Sequence, residues 1–155
     1  MNYWIQNKKK EVFDVLARVD CVVCNDGEAR QLTGESNLIR AAQKLRSFGP
    51  AHVVIKKGEH GVLLFYDGSF FALPAYPLES IFDPTGAGDS FAGAMMGFIA
   101  QASEVSFETM KRAVAWGSVV ASFTVEDFGL DALRRIQKKD LAERLKLFRK
   151  IGSFS

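Results

Sequence analysis

What the chain lacks narrows its class before any motif does. The chain has only two cysteines and two histidines, and they are not spaced as a zinc site. Cys21 and Cys24 form a lone C-x-x-C, zinc needs two further ligands, and His52 and His60 stand isolated in the sequence. The two cysteines read instead as structural thiols on a buried strand, free in a reducing compartment. No apolar run reaches the roughly 18–20 residues of a membrane-crossing helix. Residues 1–8 show no signal-peptide layout, because no apolar core follows their positive charge, so the cytoplasm is the expected location. An excess of one charge is also missing: 20 Lys and Arg oppose 18 Asp and Glu for a net +2, too balanced to imply nucleic acid or an anionic membrane. The only basic run, Lys8 to Lys10, reads as a solvated turn before a helix. Internal repeats and low-complexity segments are absent too.

What is present is ordinary globular material. A length of 155 residues suits one domain, since domains peak at about 100–150 residues. A composition 48% hydrophobic and 25% charged excludes disorder. Residues 1–5 are apolar and abrupt, like the tail of a strand. Val12, Val15, Leu16 and Val19 recur at helical spacing over residues 9–19. A short strand, Val19 to Cys24, leads to a short helix from Asp26 to Leu32, which Gly34 stops. Ser36 or Asn37 caps the next helix, with Leu38, Ala42, Leu45 and Phe48 along one face and Gly49-Pro50 at its end. Val53-Val54-Ile55 is apolar enough to be an interior parallel strand, completing a strand–helix–strand unit. Asp67-Gly68 predicts a type I′ hairpin turn between Val62–Tyr66 and Phe70–Leu73. Pro74 and Pro77 then break regular structure, and the remainder is nearly all helix. Ala92 to Ala100 is apolar all round, as an interior helix is. Phe107 to Val125 follows, where Gly117 and its small neighbours allow another helix or a flat ligand to pack closely. Asp140 caps a last helix with Leu141, Leu145 and Phe148 inward. The whole is an α/β layered domain.

The chain is organised around Phe82 to Ala94. Asp83 opens this stretch, Pro84 stiffens it, and Gly86, Ala87 and Gly88 precede Asp89 at the mouth of the apolar helix. Small residues let a backbone approach a ligand, and a helix N-terminus offers unpaired N–H groups and the positive end of a dipole. The combination is an anion site, usually one for phosphate. A carboxylate there is repulsive unless chemistry needs it, and its natural task is to take a proton from an attacking hydroxyl. The plainer reading is a tight loop with a helix-capping Asp. Gly86-x-Gly88 also invites a dinucleotide-binding reading, but the last glycine position of that fingerprint is Phe91 and no strand runs into the loop.

The run D-P-T-G-A-G-D-S-F-A-G-A at 83–94 resembles the second signature of the ribokinase-like, or PfkB, family of carbohydrate and nucleoside kinases. Asn25-Asp26-Gly27-Glu28 is similar to that family's N-x-x-E motif at a strand end. Lys57-Gly58-Glu59-His60-Gly61 sits where the family has its glycine-containing nucleotide turn, and Ala115 to Ser122 where helical residues flank adenine. The resemblance runs over roughly residues 1–135, with the matches in family order. It implies a ribokinase-like layered α/β fold and, because the family's glycine-rich sugar signature and β-sheet lid are missing, a truncated C-terminal, nucleotide-binding half in a single domain, 1–155. The activity it implies is ATP-dependent phosphorylation of a sugar or nucleoside alcohol. Asp89 would be the base, and the backbone N–H groups of Gly86, Ala87 and Gly88 the anion hole. Asn25 and Glu28 would help hold Mg²⁺ through water. Lys56, Gly58 and Gly61 would line phosphates and nucleotide, and Ala115, Trp116 and Ser118 the adenine. Asp83 and Thr85 would serve a monovalent cation such as K⁺. Lys56 departs from the small hydroxyl residue common at its position. A homo-oligomer is allowed for, since relatives pair through the lid. Lacking an acceptor pocket, the 155 residues alone are expected to be a nucleotide-binding or merely folded module without turnover. The plainer reading of Asn25 and Glu28 is a helix cap and a solvated acid; that of Trp116 is core.

Overall fold

Two short runs of consecutive apolar residues form the parallel pair that organises the first half of the chain. In the computed structural model, which describes residues 2–151, β1 (Cys21–Asn25) lies parallel to β2 (His52–Lys56), in register from Cys21 opposite His52 to Asn25 opposite Lys56. β2 pairs antiparallel with β3 (Val62–Tyr66), which turns through Asp67 (φ 42°) and Gly68 (φ 81°) into β4 (Ser69–Leu73). Positive φ at both central residues is the type I′ signature. The sheet order is β1-β2-β3-β4. Val53, Val54 and Ile55 are all fully buried, as expected of an interior strand.

The chain falls into two compact units, residues 1–72 and 73–155. In the first, α1 (Asn2–Asn7), α2 (Lys9–Leu16), α3 (Asp26–Thr33) and α4 (Leu38–Ser47) accompany the sheet. Ile5, Leu16, Ala29, Leu32, Ala41 and Leu45 from these helices share one core with Val22, Cys24, Val53, Ile55 and Phe65 from the strands. Asn37 caps α4, its Oδ1 accepting from the N–H groups of Ile39 and Arg40 at 3.0 and 3.1 Å. The segment expected to be a strand tail is helical from Asn2; Met1 lies outside the described residues. A short apolar run carries no period that separates strand from helix, and here the helix buries Ile5 while Tyr3 and Trp4 face solvent. α2 is shorter than expected, ending at Leu16, and Val15 is exposed because Val12, Phe13 and Leu16 form the stripe that meets the core.

In the second unit α5 (Ala87–Ile99) and α6 (Phe107–Thr124) form a helical pair. Phe91 and Met95 on α5 and Met110, Ala113, Val114 and Gly117 on α6 are buried, the i, i+3, i+4 pattern of a packed stripe. At Gly117 a Cβ would stand 2.8 Å from the carbonyl oxygen of Phe91, so what the small residues admit here is another helix. α5 is not buried all round: Gly93, Met96, Gly97 and Ala100 are exposed along one face. A short helix not anticipated from sequence, α7 (Asp131–Arg135), precedes α8 (Lys138–Ile151). α8 buries Phe148 and half-buries Leu141 and Leu145. Asp140 is not its cap residue but lies in the first turn, reaching back to accept the Gln137 N–H at 2.8 Å. No described helix is long and apolar enough to cross a membrane.

Candidate active site

The functional residues named from sequence gather in two sets, one in each unit. In the first unit they stand at the carboxyl ends of the parallel strands, where α/β sheets place their ligand crevices. Asn25 ends β1, opposite Lys56 at the end of β2. Asn25 is also the N-cap of α3: its Oδ1 accepts from the Glu28 N–H at 2.7 Å, and Glu28 Oε2 accepts from the Asn25 N–H at 2.9 Å. This capping box satisfies two otherwise orphaned donors and holds Glu28, which is buried, in one orientation. Asp26 pairs with Arg30 one turn on. From half-buried Lys56 the chain enters the turn Lys57–Gly61, closed by Lys57 N–H to Gly61 O at 2.7 Å and Gly61 N–H to Gly58 O at 3.1 Å. Glu59 and His60 are exposed on it, as solvated turn residues are. Cys21 and Cys24 are free thiols on β1. Burial pushes the Cys24 thiol up to about 12 and the Cys21 thiol up to about 11, so both behave as packing groups. No group of three or more His, Cys, Asp and Glu among the described residues could hold a metal ion.

In the second unit the loop before α5 is built by its own side chains and by the end of α6. Asp83 Oδ1 accepts from the Thr85 N–H at 2.9 Å. The backbone N–H and side chain of Thr85, and the backbone of Gly129, hold the Asp83 carboxyl below the usual carboxylate range. The Val125 carbonyl, at the C-terminus of α6, accepts from the N–H groups of Phe82 at 2.8 Å and Asp83 at 3.3 Å. Gly86 then caps α5 with φ 81°, a left-handed conformation that a side chain would strain. The Ala87 N–H is spent on Pro84 O at 3.2 Å and the Ser90 N–H on Gly86 O at 2.9 Å. The Gly86, Gly88 and Asp89 N–H groups take no partner among the described residues. Of the expected run Gly86, Ala87 and Gly88, the turn that places Ala87 at the helix start thus uses the Ala87 N–H. Asp89 is exposed and its carboxylate makes no hydrogen bond among the described residues, so it does not cap the helix.

The residues expected beside adenine divide. Ser118 Oγ donates back to Val114 O at 2.9 Å, and Ala115 is half-buried on the same helix. The Trp116 ring packs on Phe98, centroids 6.4 Å apart. Phe98 lies twelve residues beyond Gly86, about 18 Å along the axis of α5. Trp116 thus packs toward the end of α5 away from Gly86. Sequence reasoning missed Val125 and Gly129. A carbonyl and an N–H acting as anchors leave no side-chain signature; only Gly129, with φ 58°, carried the mark of a turn just past a helix.

Residues 2–136 match the family model described as pfkB family carbohydrate kinase. The chain is 47% identical over 85 residues to the cytidine kinase of Thermococcus kodakarensis, a match covering 54% of this chain and 30% of that protein. It superposes with TM-score 0.79 on aminoimidazole riboside kinase from Salmonella enterica, solved with aminoimidazole riboside and an ATP analogue, at 25% identity over 88% of this chain and 46% of that one. A fructokinase from Vibrio cholerae gives TM-score 0.82 at 24% identity, covering 90% and 45%. The chain thus spans less than half of each of these proteins, and the α/β architecture is that of ribokinase-like kinases.

Proposed function

The chain belongs to the pfkB family of carbohydrate kinases, and on that footing we propose that it supplies the ATP-binding and proton-accepting part of a kinase acting on a nucleoside or sugar hydroxyl. The observation that carries the reading is the mouth of α5. Among the described residues, donors on Gly86, Gly88 and Asp89 are left unspent beside a carboxylate that takes no hydrogen bond. Phosphoryl transfer asks mainly for positioning and for fixed donors where charge gathers on the transferred group. The open N–H groups and the helix dipole suit a phosphate, and Asp89 is the group to accept the proton of the attacking hydroxyl. By the family resemblance, Lys56, Gly58 and Gly61 would line the phosphates and nucleotide.

Asn25 and Glu28 suit a magnesium ion held through water rather than directly, because the capping box already occupies one oxygen of each. Bound Mg²⁺ would offset the charge of the nucleotide phosphates. Asp83 and Thr85 would serve a monovalent cation with whatever lone pairs their mutual turn leaves. A nucleoside acceptor is favoured over a free sugar by the cytidine kinase and riboside kinase relatives. A second reading, nucleotide binding without turnover, is favoured by coverage: over half of each solved kinase has no counterpart in the match.

Calorimetric titration of the 155-residue chain with ATP and Mg²⁺ tests the binding half. A phosphorylation screen over cytidine, other nucleosides and free sugars tests the transfer half. Asp89→Asn should leave ATP binding unweakened while any turnover falls about 10²–10⁴-fold. Turnover untouched by that change removes the base, and absence of saturable ATP binding removes the site. Saturable binding with no turnover on any acceptor selects the second reading.

A further inference from the structure

The family match stops at residue 136, yet α8, beyond it, sends one side chain back to the end of α6. Arg144 Nη1 donates to Ser122 Oγ at 3.1 Å and to Glu126 Oε2 at 2.6 Å, and its Nη2 donates to Glu126 Oε1 at 3.2 Å. The guanidinium lies 3.4 Å over the Phe123 ring and 5.0 Å from the Tyr76 ring. Only 16% of the side chain is exposed. A planar, two-pronged cation on a carboxylate with aromatic rings nearby is an arrangement arginine holds and lysine does not.

The residues it grips are informative. Ser122, Phe123 and Glu126 surround Val125, whose carbonyl holds the Phe82 and Asp83 N–H groups. Tyr76, beneath the same guanidinium and edge-on to Phe148 at 5.7 Å, begins the segment that ends at Phe82. That segment, with Glu126 and Arg144, lines a cleft of about 520 Å³. The strand-free approach to the Asp83 turn is therefore tied at both ends to structure that Arg144 fixes.

We propose that Arg144 is a positioning residue for the loop Asp83–Asp89. By locking the last turn of α6 it keeps the Val125 carbonyl where it anchors the Phe82–Asp83 peptide, and so sets the direction from which Gly86 enters α5. Its consequence for anion binding rests on the reading of Gly86–Asp89 given above; its consequence for the loop does not.

Amide hydrogen exchange read residue by residue by NMR separates this from simple docking of α8. In Arg144→Met the Phe82 and Asp83 amides should exchange at least tenfold faster, while the Met95 and Val114 amides of the α5–α6 seam stay unchanged. Arg144→Lys should recover only part of the protection, because it restores the charge without the fork. Glu126→Gln, which keeps shape and one acceptor, should shift the same two amides in the same direction by less, and it decides the matter should the methionine variant not fold. ATP affinity, followed in parallel, should fall about tenfold in Arg144→Met. Unchanged exchange at Phe82 and Asp83, or acceleration equal to that of the seam, overturns the proposal. Faster exchange in a chain that binds no ATP leaves the positioning role standing and defeats only the kinase reading.

Discussion

Substituting Gly117 by alanine tests the contact that sets α5 against α6. The added Cβ would meet Phe91 O at 2.8 Å and two Phe91 ring carbons at 3.1 and 3.2 Å. A relaxed carbon-to-carbonyl contact is roughly 3.3–3.6 Å, and a backbone oxygen cannot rotate away as a side-chain tip can. The helices must therefore part by about half an ångström over a seam that is otherwise close-packed. Overpacking costs about 1–3 kcal/mol, and a clash with a backbone atom falls in the upper part of that range, about 2–3 kcal/mol; alanine recovers about 1 kcal/mol of helix propensity over glycine. The net expectation is a loss of about 1–2 kcal/mol, seen as a urea midpoint lower by about 0.5–1 M for a typical small-protein slope. Trp116, packed on Phe98 in the same unit, reports the transition by fluorescence once exposed Trp4 is replaced by phenylalanine. Gly93→Ala is the matched control: nothing lies within 4 Å of its added Cβ, so propensity acts alone and stability should rise by up to about 1 kcal/mol. The reasoning is refuted if Gly117→Ala is as stable as the parent, or if Gly93→Ala loses as much.

Two further expectations concern the first unit. His52 stacks on Tyr66 with centroids 4.1 Å apart; burial, then the Arg46 charge, hold it below its ordinary 6.5. The unfolded chain therefore takes up the proton first as pH falls, and stability should drop from pH 6.5 downward. His52→Gln should flatten that fall, measured as the urea midpoint at about pH 7.5 against about pH 5.5, and an identical fall in both proteins would count against it. The Cys24 thiol, at about 12 against an ordinary 9.0, carries about a thousandfold less thiolate than it would unfolded. Iodoacetamide at mildly alkaline pH should therefore label Cys24 only as fast as the chain opens, whereas equal labelling rates with and without urea, followed by mass spectrometry, would contradict its burial.

What could be read in advance was whatever local chemistry decides. The Asn25 cap was legible as the plainer of two readings because its bond spans three residues, but Glu28, read there as a solvated acid, is buried and closes the box. Asp67-Gly68 named its turn because the backbone there needs positive φ twice. β2 was legible because three adjacent buried residues suit a strand with both faces inward. What failed depends on partners distant in sequence. The helical Asn2–Asn7 gains from Ile5 entering the core, and Val15 loses its place because Phe13 takes it. The open face of α5 is apolar in composition, and nothing in its own residues says that Met96 is 51% exposed. Arg144 was one of several basic residues on α8, and its reach of twenty-two residues to Ser122 has no local signal.

The loop before α5 and the first turn of that helix hold one carboxylate each, six positions apart, and their different surroundings support the division of roles proposed above. Asp83 is consumed by construction: the Thr85 N–H bonds its oxygen, and Thr85 and Gly129 keep it charged. Its own N–H is committed to Val125. Asp89 stands in the first turn of α5, where an acid without chemistry would ordinarily fold back onto the helix-start donors and satisfy them. It does not, and among the described residues the Gly88 and Asp89 N–H groups remain unspent beside it. Leaving donors and an acceptor side by side and mutually unpaired forgoes stabilisation of about 1 kcal/mol, the worth of an ordinary N-terminal cap. The sequence around them, with Gly86 unable to cap through a side chain and Ala87 tied to Pro84, keeps that bond from forming by any other route. On the kinase reading proposed above, such a loop is one where a phosphate would take the donors while a hydroxyl proton would go to the carboxylate.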